Sequence, residues 1–301
     1  MANLSPLQSE KAECRRVLLI EPSIKTNTHL AELFDPSVWT VSYAKDNEAA
    51  IEMAKAEAFD LILTNAATTC AEDTVVLQRL RAVRPHTRVI ILTEEWLPGD
   101  ILKAIRSHAF SYFTLPIAKS DLRKLIEQSL KEPVWDDGIE LIQGSPEHVV
   151  LAVRCDLATL ERLMHFMRES LPLPAVECEE VAFAFREVLV NAMEHGGRFD
   201  PREFVEVCYL KSKRVIMCRV KDPGEGFSMQ EIRDAETAEP LEKYAQHVKT
   251  QSWEKMETAP RGLGILMARK FLDDLIFSEK GNEAFLIKYL PQHDLSKGAG
   301  N

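Results

Sequence analysis

From Arg16 to about Lys131, short β-branched runs alternate with helical patterns. The runs "RRVLLIEPS", "WTVSYA", "FDLILTN", "TRVIILTEE" and "FSYFTLP" read as strands. Between and after them, "IKTNTHLAELF", "NEAAIEMAKAEA", "EDTVVLQRLRAV", "LPGDILKAIRSH" and "KSDLRKLIEQSLK" place apolar residues at i, i+3, i+4 spacing and read as helices. Strict alternation of strand and helix predicts a parallel, doubly wound sheet. The rhythm breaks at "EPVWDDGIELIQGSPEH", whose prolines and glycines put a domain boundary near Pro133.

The second half has a different order. Strands "GIELIQG" and "HVVLAVR" lead into helices "DLATLERLMHFMRESL" and "AVECEEVAFAFREVLVNAMEH", joined at "PLP". A hairpin follows, "EFVEVCYL" and "RVIMCRVKD", then a long polar insert, a helix beginning at Gly262, and strands "DLIFSEK" and "EAFLIKYL". Strands and helices segregate here, which predicts an α/β sandwich: a mixed sheet with helices on one face. The expected layout is a disordered N-terminus at 1–14, a first domain at 15–132, a linker and first strand at 133–147, a second domain at 148–292 and a disordered tail at 293–301.

Composition narrows the class. The 301 residues suit two ordinary domains, and 46% hydrophobic with 28% charged residues is the balance of a soluble globular protein. No stretch approaches the roughly 20 apolar residues of a membrane span, and "MANLSPLQSEKAECRR" has no apolar leader core, so the expected location is cytoplasmic. A net charge of -10 without a basic run excludes a general nucleic-acid surface. The six cysteines show neither CxxC nor Cys/His metal spacing, so reduced, mostly buried thiols are expected, Cys208 and Cys218 included, although they fall on paired strands.

The five β/α units of the first half resemble a response-regulator receiver domain, a flavodoxin-like (βα)5 fold. That family uses an acidic pair after strand 1 for Mg²⁺, a phosphoacceptor Asp ending strand 3, a Thr or Ser ending strand 4 and a Lys before Pro ending strand 5. Here the corresponding positions are Glu21-Pro22-Ser23, Asn65, Thr93 and Leu115-Pro116. A neutral amide cannot form an acyl phosphate, and the metal-binding and lysine charges are missing as well. The resemblance therefore implies a degenerate receiver, kept as a docking or dimerisation platform around residues 100 to 131.

Three motifs in the second half carry chemistry. In "REVLVNAMEHGG", a helix that stops on Gly196 and Gly197, Glu187, Asn191 and His195 stand at i, i+4 and i+8 on one face. Such a stripe is either solvated or a site: Asn191 can offer an amide oxygen to Mg²⁺, and Glu187 can take a hydroxyl proton. In "VKDPGEGF", Asp222 ends a strand and can accept from an exocyclic amine, while Gly224 and Gly226 admit close backbone approach or positive φ. In "PRGLGILMARKF", Arg261, Gly262 and Gly264 open a helix whose N-terminus suits an anion.

In this order the motifs are similar to the N, G1 and G2 boxes of the GHKL ATPases, the group of histidine kinases and gyrase. The "NAxxHG" ending and "RGLGI" are most similar to the anti-sigma-factor serine/threonine kinases, over about Gly138 to Leu290. The resemblance implies ATP and Mg²⁺ as cofactors, with Glu187 as general base and Asn191 as the Mg²⁺ ligand. It also places Asp222, Gly224 and Gly226 at adenine, and Arg261, Gly262 and Gly264 at the phosphates. The implied partner is an anti-anti-sigma (STAS-type) protein, with a sigma factor held in turn; related domains often form homodimers.

Two rivals stand beside this reading. One is a nucleotide-gated binding module that sequesters a partner without phosphorylating it. The other is a histidine-kinase-related fragment, but His29, His108, His148 and His165 lack the acid and following Pro of a phosphoacceptor helix. His195 near a helix end is explained by the macrodipole as a cap, and Glu194 reads as solvated. The insert at 228–260, with Trp253 as an apolar anchor, occupies the position of an ATP lid, and the last strands lack the family's frequent Gly-Thr pair.

Overall fold

The computed structural model describes residues 14–20, 30–64, 69–94, 99–115, 119–129, 137–226 and 263–291. Contacts divide the chain into two compact units, Met1–Trp96 with Phe113–Asp136 and Leu97–Tyr112 with Asp137–Asn301. Among the described residues no helix is long and apolar enough to cross a membrane. The expected N-terminal and C-terminal tails, the linker at Pro133 and the insert at 228–260 lie outside the described residues.

The five strands of the first sheet are β1 (Arg15–Ile20), β2 (Trp39–Ala44), β3 (Leu61–Leu63), β4 (Arg88–Thr93) and β5 (Ser111–Thr114), in the order β2-β1-β3-β4-β5. The β1/β2, β1/β3 and β3/β4 pairings are parallel. Every residue of β4 is buried, and the edge strand β2 exposes Thr40 and Tyr43. That is why the central strands read as unbroken apolar runs and the edge as an alternating one. Helix α1 (Asn47–Ala56) is capped by Asp46, which accepts from Ala49 N–H at 2.7 Å, and α2 (Cys70–Val83) by a reciprocal Thr69/Glu72 box. Helices α3 (Asp100–Arg106) and α4 (Lys119–Ser129) follow along the chain.

The second sheet contains β6 (Ile139–Ser145), β7 (His148–Arg154), β8 (Phe204–Lys211), β9 (Val215–Lys221), β10 (Asp274–Phe277) and β11 (Glu283–Tyr289), ordered β10-β11-β9-β8-β7-β6. Helices α5 (Leu157–Ser170), α6 (Ala175–Asn191) and α7 (Leu263–Phe271) belong with it, and α6 packs against α5, α7, β9 and β11. Within this unit α3 packs against β6 and α5.

The sheet expected to be mixed is antiparallel in each of its pairings. Two helices separate β7 from β8, so the chain returns reversed. β11 lies between β9 and β10 and is antiparallel to both, so β9 and β10 run the same way. On the helix-facing side Val207, Val220 and Ala284 lie in register, as do Tyr209, Cys218 and Leu286, and all are buried. Cys208 pairs with Arg219 rather than with Cys218, so the two thiols sit on opposite faces and both are free.

Candidate functional site

Helix α6 is the wall on which the three motifs meet. It begins after Pro174, whose fixed φ suits a helix start, and buries Val181, Ala184, Phe185, Val188 and Leu189 at helical spacing. Phe183 meets Phe271 of α7 edge to face, with centroids 5.7 Å apart, a contact that adds roughly 0.5–1.5 kcal/mol to their burial. This docking brings the start of α7 to the polar edge of α6. Glu187 and Asn191 stand there one turn apart.

The Glu187 side chain is 13% exposed. Burial pushes its carboxyl above the ordinary carboxylate range, and the Arg186 guanidinium, 3.7 Å away, offsets part of that. A Cβ on Gly264 would run into Glu187 Oε2, so the glycine is what lets the helix start approach the carboxyl. Asn191 is partly exposed, and among the described residues no hydrogen bond occupies its amide. Arg261 and Gly262 lie outside the described residues, as does Trp253.

Directly after Asn191 the helix widens. Gly197 N–H bonds to Ala192 O, five residues back, so Ala192–Gly196 form a π-helical turn where a plain α-helix was expected. Arg198 and Phe199 then take left-handed φ values of 55° and 48° and turn the chain away. Gly196 and Gly197, read from sequence as a helix stop, make room for two other side chains. A Cβ on Gly196 would collide with Asp222, and one on Gly197 with Cys155 Sγ. Burial pushes the Cys155 thiol up to about 11, so it fills space as a neutral group.

Asp222 leaves β9 tied to the β10–β11 hairpin. Its N–H donates to Asn282 O at 3.0 Å, and Asn282 Nδ2 donates back to Asp222 O at 3.3 Å. Its side chain accepts from Gly224 N–H at 2.8 Å, and Lys280 Nζ donates to Gly224 O at 3.0 Å. Burial raises the Asp222 carboxyl, while the Gly224 N–H, Lys280 and His195 pull it down. Gly226 has φ +83°, and a Cβ there would collide with the Lys280 carbonyl, as one on Gly224 would with the Gly196 backbone. Lys280 and Asn282 were not singled out in the sequence, where Lys280 ends the strand "DLIFSEK". His195 is exposed at the helix end.

In the first sheet, Glu21, Pro22, Ser23, Asn65 and Pro116 lie outside the described residues. Thr93 is buried at the end of β4, and its carbonyl accepts from Leu115 N–H at 2.8 Å. Thr64, next to Asn65 in sequence, donates to the fully buried Asp73 at 2.9 Å and accepts from Leu92 N–H at 3.0 Å. That polar knot was not foreseen, because Asp73 reads as one more acid in the first turn of a helix.

Residues 153–288 match the family model of the histidine kinase-like ATPase domain, and residues 17–127 match that of the response regulator receiver domain. A comparison with curated proteins finds no match. Among solved structures, the signal receiver domain of an HD domain-containing protein from Pseudomonas fluorescens Pf-5 is similar at 23% identity, with 40% of this chain and 96% of that one covered and a TM-score of 0.37. A CheY-like receiver domain protein from Methanospirillum hungatei JF-1 is similar at 19% identity, covering 39% and 94%, with a TM-score of 0.36. A response regulator from Thermotoga maritima is similar at 18%, covering 40% and 99%, with a TM-score of 0.37. With the described parts of all three motifs gathered along α6 and each half matching its own family model, the chain carries a response regulator receiver domain followed by a histidine kinase-like ATPase domain.

Proposed function

We propose that the ATPase domain is a Mg²⁺- and ATP-dependent serine/threonine protein kinase of the anti-sigma type. It phosphorylates a Ser or Thr of an anti-anti-sigma partner of STAS type, and that modification switches which protein, a sigma factor included, the domain holds. The observation that carries this reading is Glu187: a mostly buried carboxyl of raised proton affinity, one turn before Asn191 and against the first turn of α7. A carboxylate of raised proton affinity accepts a hydroxyl proton better than an ordinary one.

The residues present suit the nucleotide. Gly196 and Gly264 let the Asp222 and Glu187 side chains pack close to the C-terminal part of α6, where a Cβ would collide with them, and Asp222 is an acceptor suited to an exocyclic amine. Asn191 would hold Mg²⁺ through its amide oxygen, a hard donor appropriate to that ion. When bound, Mg²⁺ and ATP supply the phosphoryl group and the cation that balances its charge. Glu187 would take the proton from the partner's hydroxyl, and Arg261, Gly262 and Gly264 are the residues that would hold the phosphates. Asn65 makes the receiver a docking platform rather than a phosphoacceptor.

Incubating the full chain with γ-labelled ATP and STAS-domain proteins from the same genome tests the reading. Label on a partner's Ser or Thr is expected. ATP binding without transfer to any partner would sink the kinase reading in favour of a nucleotide-gated binding module.

A further inference from the structure

Beside the base-bearing face of α6 an ionic chain runs to α5. Arg186 Nη2 donates to Glu161 Oε1 at 3.0 Å, while its Nη1 stands 3.7 Å from Glu187 Oε1. All three side chains are largely buried: Glu161 is 19% exposed and Arg186 16%. Adjacent helix positions do not face one another, so Arg186 must lean back over its own helix to reach Glu187. One arm of the guanidinium donates to Glu161 while the other stands within ion-pair distance of Glu187.

We propose that Arg186 is a positioning residue for Glu187, its guanidinium anchored on α5 by Glu161 and holding the Glu187 carboxylate toward the glycine-lined start of α7. This rests on the reading of Glu187 as the base of the ATP site and names the residues that set its geometry. Three elements bear on Glu187. On α6 the charge is Arg186, the one charge among the described residues that shifts this carboxyl. On α5 it is Glu161, acting through Arg186. On α7 the contact is Gly264, which brings none. Arg186 thus counters the burial of Glu187, and Glu161 takes a share of that counter-charge.

The test is a carbon-13 titration of the full chain without nucleotide, labelled at glutamate carboxyls, with the Glu187 resonance assigned by its loss in Glu187→Gln. In Arg186→Met the midpoint of Glu187 is expected to rise by about one pH unit or more, the scale of an opposite charge within ~4–6 Å. Arg186→Lys, which keeps the charge, is expected to undo most of that rise; a purely structural role for Arg186 gives no such rescue. Glu161→Gln, which leaves Arg186 in place and removes a competing negative charge, is expected to lower the midpoint, and it carries the test if Arg186→Met does not fold. A Glu187 midpoint unmoved in these variants overturns the proposal. Calorimetric binding of a non-hydrolysable ATP analogue with Mg²⁺ to the wild-type chain separates the two claims. No binding would sink the ATP-site reading, while the titration, which needs no nucleotide, still decides on Arg186.

Discussion

The carboxyl of Glu187 lies directly against the backbone of Gly264, in the volume that a Cβ on residue 264 would take. Gly264→Ala therefore sets two effects against each other. Alanine in place of glycine in a helix gains about 1 kcal/mol, and pushing the end of the Glu187 side chain off its rotamer costs about 0.5–1.5 kcal/mol. The fold is expected to survive with nearly the same melting temperature. Misplacing a reacting group by an ångström costs roughly 10²-fold in rate, so phosphoryl transfer is expected to collapse in a stable protein. Thermal melts alongside transfer assays check this; a variant that melts and transfers like wild type contradicts it.

Gly196→Ala is expected to behave differently. Its Cβ would meet Asp222 at Cβ and Cγ as well as at the carboxylate, so no change of rotamer relieves the contact. Overpacking of this kind costs about 1–3 kcal/mol. Losing a hydrogen bond to a charged group costs about 1.5–3 kcal/mol, or roughly ten- to a hundredfold in nucleotide affinity. Calorimetry with an ATP analogue should show that loss, and a GTP analogue, lacking the adenine amine, should bind wild type no better than the variant binds ATP.

These two glycines show where sequence reading runs out. The strands of the first sheet are legible because a parallel sheet buried on both faces demands unbroken β-branched runs such as "VLLI" and "VIIL". Glu187 and Asn191 are legible because helical spacing alone puts them on one face. Gly196 and Gly197 read only as a helix stop, since the side chains they admit, Asp222 and Cys155, arrive from distant strands. The same holds for Arg186, whose partner Glu161 sits 25 residues earlier on another helix. The order of the second sheet was also hidden, because local patterns do not say that β11 inserts between β9 and β10.

Glu187 also carries a stability signature. Burial raises its carboxyl above the unfolded value of 4.5, with only partial offset from Arg186. A carboxyl shifted in this direction contributes stability that is full below pH 4.5 and lost as pH rises through the folded midpoint. Glu187→Gln removes the charge at almost constant shape. It is expected to melt at a higher temperature than wild type at pH 8 and at the same temperature at pH 4. Equal melting at pH 8 would count against a desolvated carboxylate.

Asp137 gives the opposite sign. Burial pushes its carboxyl up, but the Arg162 guanidinium, the His108 ring and the Ile139 N–H outweigh that and hold it at about 2 against 3.8 unperturbed. The shift corresponds to about 2.5 kcal/mol, present above pH 3.8 and lost as pH falls through about 2. Arg162→Met leaves a buried carboxylate without its main partner, which costs about 3–5 kcal/mol at pH 7. Urea unfolding should show the variant's deficit shrinking at pH 3 as Asp137 takes up a proton; a deficit independent of pH would contradict the ion-pair reading.

The central claim, that Glu187 is the base of a protein kinase, is tested most directly by single-turnover transfer of labelled γ-phosphate to a STAS-type partner. Wild type and Glu187→Gln are compared at matched nucleotide occupancy. The expected result is label on a Ser or Thr of the partner with wild type and a rate at least ~10²-fold lower with Glu187→Gln, the scale of general-base catalysis. Transfer by Glu187→Gln at the wild-type rate would contradict it.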